Sequence, residues 1–270
     1  MSQQTPLLNH PLALPSVFRP EDLMQAVRSS RRLESAPVPP VCILDFDGDL
    51  SDGLGRDASV SVVTTWACFH TQMLALTIDG IRCGVIPRTI GGPYGVLVAE
   101  QLHAAGVEVI VGMTSAGRVS ADVPLPCVVI ADEAVRDEGT SLHYVAPSET
   151  LPTPTPALAA HLVRALEPLG RVRRGLVWTT DAPYRETQAQ LDNWATRGVL
   201  AVEMQAASLF AFAQARGAAV GVVALVSNAV DHTGDQFDTG EHDYRTRVLA
   251  CVARAAGAFL AERTAARDRR

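Results

Sequence analysis

The stretch Gly198-Val-Leu-Ala-Val-Glu-Met-Gln-Ala-Ala-Ser-Leu-Phe-Ala-Phe-Ala213 decides the class of fold that this sequence predicts. Its apolar run Val199–Val202 has the length of a buried strand, and the residues from Ala207 onward show the pattern of a packed helix. Glu203 and Gln205 lie at the junction, and ligands of α/β sheets bind at the carboxyl ends of strands. We therefore expect a binding site here, although helix capping would by itself also explain Glu203.

The same succession of apolar strand and polar loop or helix recurs along the chain. A buried strand at 107–111 is followed by a predicted loop at 112–117, and Asp79-Gly80 between two apolar runs predicts a hairpin. This pattern favours an α/β fold, a three-layer α/β/α sandwich with a mixed central sheet that can curl towards a barrel. The predicted parts are a proline-rich N-terminal arm (1–40), a single domain (41–265) and a frayed basic tail (266–270).

The composition narrows the possible classes of function. The chain has 270 residues, of which 47% are hydrophobic, so it can bury a large core. All 23 basic residues are arginine, which excludes chemistry that needs a Schiff-base or P-loop lysine. The sequence shows neither a basic stripe interleaved with aromatics nor an apolar run of bilayer length, so we expect no nucleic-acid or membrane partner. Scattered cysteines and the lack of a signal pattern predict a cytoplasmic protein with buried thiols.

An acidic loop follows the first predicted strand of the domain and contains Asp45, Asp47, Asp49 and Asp52. Such a loop resembles a magnesium or calcium loop, but the calcium pattern needs a glutamate at its twelfth position and none fits. An Asp-x-Asp after a strand is also found in phosphatases, which usually need a partner lysine that this chain lacks. We therefore expect no metal site.

Four further segments resemble the nucleoside phosphorylase superfamily, which includes purine nucleoside and uridine phosphorylases and methylthioadenosine/adenosylhomocysteine nucleosidase. They occur in the order of the family and extend over roughly 41–262. Each is weak alone, but four in order are specific. The segments are Thr89-Ile-Gly-Gly-Pro-Tyr94, Val111-Gly-Met-Thr-Ser-Ala-Gly117, Thr180-Asp-Ala-Pro-Tyr184 and Ala201-Val-Glu-Met-Gln-Ala-Ala207 followed by Val226-Ser-Asn228.

The resemblance implies cleavage of an N-glycosidic bond, for which the enzyme must hold the ribose, stabilise the leaving base and present an acceptor. For the ribose it implies Met204 packed on the sugar, Gln205 in the place of the glutamate of the family, Glu203 in support and Thr114 nearby. An uncharged amide is the weaker hydrogen-bond acceptor, because charge-assisted bonds are roughly twice as strong.

The resemblance places the base beside Pro183, Tyr184 and Arg185. Asn228 stands where purine-cleaving members carry an aspartate that protonates the base. Asparagine cannot deliver a proton but can hydrogen-bond a developing anion, which favours 6-oxopurine or pyrimidine bases over adenine. Asp231, three residues further on, is the other candidate for this role.

The acceptor is the point at which the sequence departs most from the family. Gly48, Thr114 and Ser115 match positions that hold phosphate or orient water, but Asp52 and Gly112 replace two arginines of the phosphorylases. A phosphate facing the acidic loop without a compensating arginine would be repelled. Three other arginines are possible substitutes: Arg56, Arg88 and Arg118.

Three hypotheses follow. The first is transfer of the pentosyl group to inorganic phosphate, with no cofactor, the second is hydrolysis by water, and the third is a member that binds nucleosides without chemistry. The resemblance also implies a homo-oligomer, a trimer or a hexamer of dimers, in which a residue of a neighbouring subunit completes the pocket. His70 is one candidate for that residue.

Overall fold

The fold alternates strands and helices along the chain. The structure is a computed structural model that describes residues 5–229 and 242–269, without the side chains of residues 228, 229 and 242. The helices are α1 (Pro20–Arg31), α2 (Asp49–Leu54), α3 (Gly92–Ala104), α4 (Pro156–Leu166), α5 (Gln188–Thr196), α6 (Ala206–Arg216) and α7 (His242–Arg267). The strands are β1 (Val41–Asp45), β2 (Ser61–Val62), β3 (Leu74–Ile78), β4 (Ile81–Pro87), β5 (Val109–Arg118), β6 (Cys127–Asp137), β7 (Thr150–Pro152), β8 (Val172–Thr180), β9 (Ala201–Glu203) and β10 (Ala219–Ala229).

The strands form one mixed sheet in the order β10-β6-β8-β9-β5-β1-β4-β3-β2, with β7 paired to β6. Strand β5 also pairs with β10, so β5, β10, β6, β8 and β9 close into a ring. The remaining strands continue from β5 as an open extension through β1, which is parallel to both β5 and β4. The predicted mixed sheet that curls towards a barrel is therefore confirmed.

Helices cover the sheet on two sides. One apolar cluster includes residues of α1, α3 and α6, and a second includes residues of α2, α4 and α7. Strand β1 contributes to both, because Cys42 and Leu44 belong to the first cluster while Val41 and Ile43 belong to the second. Successive side chains of a strand point to opposite faces, so the continuous apolar run of β1 is buried on both. The predicted three-layer α/β/α sandwich is confirmed.

The hairpin between β3 and β4 turns at Asp79-Gly80, as the sequence predicts, with φ of 49° and 80° at the two residues. The loop predicted at 112–117 is wrong, because these residues continue strand β5 to Arg118. Their backbone groups pair with β10, which extends to Ala229. Pairing with distant strands overrides the weak strand preference of the glycines in this segment.

All five cysteines are buried and carry free thiols, as the sequence predicts. Cysteine behaves in such places as a small apolar residue. Within residues 5–229 and 242–269, the helices include none long and apolar enough to cross a bilayer.

Gly112 in β5 lies against the ring of Phe46, which is buried beside β1. A Cβ atom at residue 112 would lie 2.7 Å from Cε2 of Phe46, closer than such atoms approach each other. We predict that Gly112→Ala lowers the free energy of unfolding by about 1–3 kcal/mol through overpacking. Urea unfolding monitored by tryptophan fluorescence measures this change.

The matched control is Gly55→Ala, where the nearest atom to the added Cβ is 3.6 Å away and φ is −62°. This control is expected to change stability by less than about 0.5 kcal/mol. Equal stability of the two variants would contradict the packing of Phe46 against β5.

Candidate active site

Strands β1 and β4 end together at one edge of the sheet, beside the middle of β5. Asp45 at the end of β1 pairs with Pro87 of β4 on one side and with Met113 of β5 on the other. The turns beyond these strands are tied together, because Arg88 N donates to Asp45 O at 2.7 Å and Phe46 N donates to Met113 O at 3.1 Å. The register therefore brings the acidic loop, Arg88 and the end of β5 to one place.

Asp45 organises the turn between β1 and α2. Its side chain is fully buried and accepts from Ser51 N at 2.8 Å, from Ser51 Oγ at 2.6 Å and from Gly48 N at 3.3 Å. Burial raises the pKa of Asp45, and the hydrogen bonds from Ser51 oppose that rise. Gly48 has a φ of +92°, a conformation that glycine adopts without strain.

Asp47 contacts the end of β5 with both of its oxygens. Ser115 N donates to Oδ2 at 2.7 Å, and Ser115 Oγ donates to Oδ1 at 3.0 Å. Behind it, Arg245 of α7 lies 3.5 Å from Asp47 and 3.4 Å from Asp49, and its side chain is almost fully buried. The role of Arg245 could not be predicted from the sequence, because Arg245 lies about 200 positions from the acidic loop and no local pattern links them.

Arg88 balances the remaining carboxylate of this loop. Its Nη1 and Nη2 donate to the two oxygens of Asp52 at 3.0 and 2.7 Å. The guanidinium also covers Gly48, where a Cβ would come within 2.3 Å of Nη1. Arg88 and Arg245 thus compensate the negative charge of the acidic loop. Of the three predicted substitutes, Arg88 is the one that lies against Gly48.

Thr114 and Ser115 use their polar groups within the protein. The hydroxyl of Thr114 donates to Ser115 O at 2.8 Å, and Thr114 is buried. The backbone N–H and the hydroxyl of Ser115 both donate to Asp47. The groups that the sequence predicts to hold phosphate or water therefore have internal partners.

The turn between β9 and α6 is held by Glu203. Its Oε1 accepts from Thr179 Oγ1 at 2.5 Å, and its Oε2 accepts from Gln205 N at 2.7 Å and from Ala206 N at 2.8 Å. These bonds satisfy N–H groups at the start of α6, so Glu203 does cap the helix. Glu203 is also fully buried, and burial raises its pKa to about 7 against the effect of the three hydrogen bonds.

Gln205 and Met204 lie directly beyond this cap. Gln205 is buried, and its Oε1 accepts from Met204 N at 3.2 Å. Met204 is half-buried. The amide oxygen that the sequence assigns to the ribose thus has a backbone partner.

Strand β5 brings this turn close to the predicted leaving-group position. Gly117 pairs with Val202 of β9 on one edge and with Asn228 of β10 on the other. The backbone of Asn228 therefore lies across one strand from the turn that carries Met204. The side chain of Asn228 and the whole of Asp231 lie outside the described residues.

The predicted base-binding segment forms a short 3-10 helix, Pro183–Arg185. All three residues are exposed, and Tyr184 is completely so. Just before it, Asp181 accepts from Gly139 N at 2.9 Å, which ties this segment to the loop after β6. Glu186, just after it, is half-buried, and burial raises its pKa to about 7.

Glu138 is a further buried carboxylate that the sequence analysis missed. It accepts from Ser141 N at 2.9 Å and from Ser208 Oγ of α6 at 2.6 Å. It therefore joins the loop after β6 to α6. The segment from Arg136 to Tyr144 contains this glutamate, but its sequence alone did not indicate the partner.

Two cavities of about 410 and 550 Å³ open elsewhere on the described surface. The smaller lies between β6 and α5, and the larger lies between α3 and the N-terminal arm, beside Asp181. Met204, Gln205 and Ser115 line neither of them. His70 is exposed, and its carbonyl accepts from the hydroxyl of Tyr94 at 3.4 Å.

Comparison with known proteins gives one family. Residues 67–261 match the family described as the phosphorylase superfamily. The chain is 29% identical over 155 residues to a guanosine phosphorylase of Halorubrum lacusprofundi, covering 57% of this chain and 64% of that protein. The alignment therefore spans less than two thirds of that relative.

Two further relatives are matched over more of their length. A uridine phosphorylase of Treponema pallidum is 32% identical over 195 residues, covering 66% of this chain and 75% of that protein. A DeoD-type purine nucleoside phosphorylase of Myxococcus xanthus is 29% identical over 168 residues, covering 61% and 70%.

The raised pKa of Glu203 predicts a dependence of stability on pH. The unfolded value is 4.5 and the folded value is about 7, so between these the folded state binds more protons and stability falls as pH rises. The full effect is about 3 kcal/mol and levels off above pH 7. Glu203→Gln removes this part of the slope, which urea unfolding at pH 5, 6, 7 and 8 measures.

Other carboxyls with raised pKa, Asp45 and Glu186, keep their own contributions in the variant. The test is therefore the difference between the two slopes. Parallel slopes for the wild type and Glu203→Gln would show that Glu203 is ionised across this range.

Proposed function

We propose, because this chain belongs to the phosphorylase superfamily, that it cleaves the N-glycosidic bond of a nucleoside and transfers the pentosyl group to inorganic phosphate. A phosphate oxygen forms a bond to C1′ of the sugar, and the bond from C1′ to the base nitrogen breaks. Its electron pair leaves with the base, which takes a proton from solvent. The products are a sugar 1-phosphate and the free base, and no cofactor is needed.

The observation that carries this proposal is the convergence of the family segments on strand β5. Ser115 contacts the acidic loop, and Gly117 lies between the ribose turn and Asn228. An acceptor, a sugar and a leaving base must meet within a few ångströms for displacement at C1′. The register of three neighbouring strands supports such a meeting point at the end of β5.

In this proposal Met204 packs on the sugar and Gln205 hydrogen-bonds a sugar hydroxyl, while Glu203 fixes the turn beneath them. Asn228 steadies the negative charge that develops on the base. An asparagine donor suits a base that leaves as an anion, so we propose a uridine-type or 6-oxopurine nucleoside as the substrate. The guanosine and uridine phosphorylases among the relatives act on bases of these two kinds.

Hydrolysis is the second candidate, and Asp47 favours it. Its carboxylate occupies both donors of Ser115, where phosphate would bind in the first proposal. A carboxylate in that place repels a phosphate but can accept a proton from an attacking water. In that case water supplies the oxygen to C1′, and the products are the free sugar and the base.

A panel of nucleosides separates these possibilities. Uridine, thymidine, inosine, guanosine and adenosine are incubated with and without phosphate, and the free base is measured by chromatography. We predict release of base from uridine or a 6-oxopurine nucleoside that requires phosphate. Release without phosphate selects hydrolysis, and no release from any substrate favours a protein that binds nucleosides without cleaving them.

Two substitutions test whether the activity depends on the proposed site. Met204→Ala and Asn228→Ala are each expected to lose most of the activity while unfolding like the wild type. Leu97→Ala is the control, since Leu97 is a partly exposed aliphatic residue on α3 beside the larger cavity. Wild-type turnover by Asn228→Ala would contradict the leaving-group role.

We also propose that the chain assembles as a trimer or a hexamer of dimers in which a neighbour completes the pocket. The exposed base-binding segment supports this, because Tyr184 is fully exposed in the single chain. Size-exclusion chromatography with light scattering is expected to give a multiple of the 28.7 kDa chain mass. A monomer at micromolar concentration would contradict the proposal.

A further inference from the structure

Two pairs of hydrogen-bond donors lie near the end of β1, where the proposed phosphate acceptor would bind. A carboxylate of the protein accepts from each pair. Ser115 N and Oγ donate to the two oxygens of Asp47. Arg88 Nη1 and Nη2 donate to the two oxygens of Asp52. Both contacts are two-point contacts to an anion, and phosphate presents paired oxygens of the same kind.

One donor pair lies on the residue after β4 and the other lies within β5, close to the end of β1. Arg88 follows Pro87 and Ser115 follows Met113 by two residues, and Asp45 pairs with both Pro87 and Met113. The guanidinium of Arg88 covers Gly48, and Asp47, the residue before Gly48, accepts from Ser115. The cationic donor pair of Arg88 and the neutral donor pair of Ser115 therefore both lie against the Asp47-Gly48 turn.

We propose that Arg88 binds the phosphate acceptor, and that Asp52 and Asp47 occupy the phosphate-binding donors while phosphate is absent. This inference rests on the proposed phosphorolysis and names the cation that the acceptor uses. Phosphate binds by displacing Asp52 from Arg88, and Asp47 then moves from Ser115 towards Arg245.

Exposure selects Arg88 among the arginines of this region. About 57% of its side chain is exposed, so a dissolved anion can reach the guanidinium. Arg245 is about 1% exposed and lies against Asp47 and Asp49, so it serves to hold these carboxylates. Arg56 lies beyond the end of α2 with an exposed side chain, and the atoms nearest to a Cβ at Gly48 belong to Arg88.

The strength of the two internal contacts sets the order of displacement. Arg88 and Asp52 are both more than half exposed, and exposed ion pairs contribute little to stability. Asp47 is only 16% exposed and has Arg245 behind it, so its bonds to Ser115 are harder to break. Asp52 therefore leaves first, and its competition lowers the affinity for phosphate.

Titration of inorganic phosphate by calorimetry at pH 8 tests this on the full chain without any nucleoside. Arg88→Gln is expected to raise the dissociation constant about tenfold or more, since it removes two charge-assisted hydrogen bonds. Arg88→Lys is expected to give a dissociation constant between those of the wild type and Arg88→Gln, because lysine keeps the charge but not the two-point geometry. Asp52→Asn is expected to lower the constant several-fold, since the competing charge is gone.

Arg56→Gln is the matched control, which removes an exposed arginine close in sequence and is expected to bind phosphate like the wild type. Thermal unfolding of each variant without phosphate checks that the fold is intact. Equal phosphate affinity of Arg88→Gln and the wild type would overturn the proposal, as would an unchanged or weaker affinity in Asp52→Asn. Absence of saturable binding in both the wild type and Asp52→Asn would do the same.

The nucleoside panel keeps this test distinct from the proposed function. If release of base depends on phosphate and Arg88→Gln leaves the KM for phosphate unchanged, the result supports phosphorolysis but contradicts the role of Arg88. If phosphate binding depends on Arg88 but release of base does not require phosphate, the result supports the phosphate site and contradicts phosphorolysis. A raised KM for phosphate at an unchanged KM for the nucleoside supports both.

Discussion

The pairing of β5 with β1, β9 and β10 is the constraint on which the site depends. Its residues Met113, Ser115 and Gly117 pair with β1 or with β10, and Gly117 pairs with β9 as well. The backbone hydrogen bonds of a sheet fix such neighbours to within an ångström. A shift of β5 by one residue would therefore change its position relative to the acidic loop and the turn after β9, and it would reverse the faces of its side chains.

The carboxylates of the acidic loop and of the turn after β9 fall into two groups that differ in burial. Asp45 and Glu203 are buried, and although each accepts hydrogen bonds from N–H and hydroxyl groups, burial raises the pKa of both. They work as caps that hold turns in place. Asp47 and Asp52 are more accessible, and each accepts from a pair of donors, on Ser115 and on Arg88 respectively.

The sequence predicted the layers of the fold, because these depend on local patterns. The continuous apolar run of β1 and the turn at Asp79-Gly80 are examples. The extension of β5 through 112–117 was missed, since it depends on pairing with β10, more than 100 residues away. The ion pairs of Arg88 with Asp52 and of Arg245 with Asp47 were missed for the same reason, because charge partners across the sheet leave no mark in local spacing.

The amide at residue 205 is consistent with the charge already buried beside it. Glu203 lies two residues earlier in the same buried turn, and its pKa is about 7. A second carboxylate at 205 would repel it and raise one of the two pKa values further. Gln205 avoids this repulsion, and its Oε1 accepts from Met204 N within the turn. The uncharged side chain at 205 therefore fits beside a carboxyl whose pKa is already raised by burial.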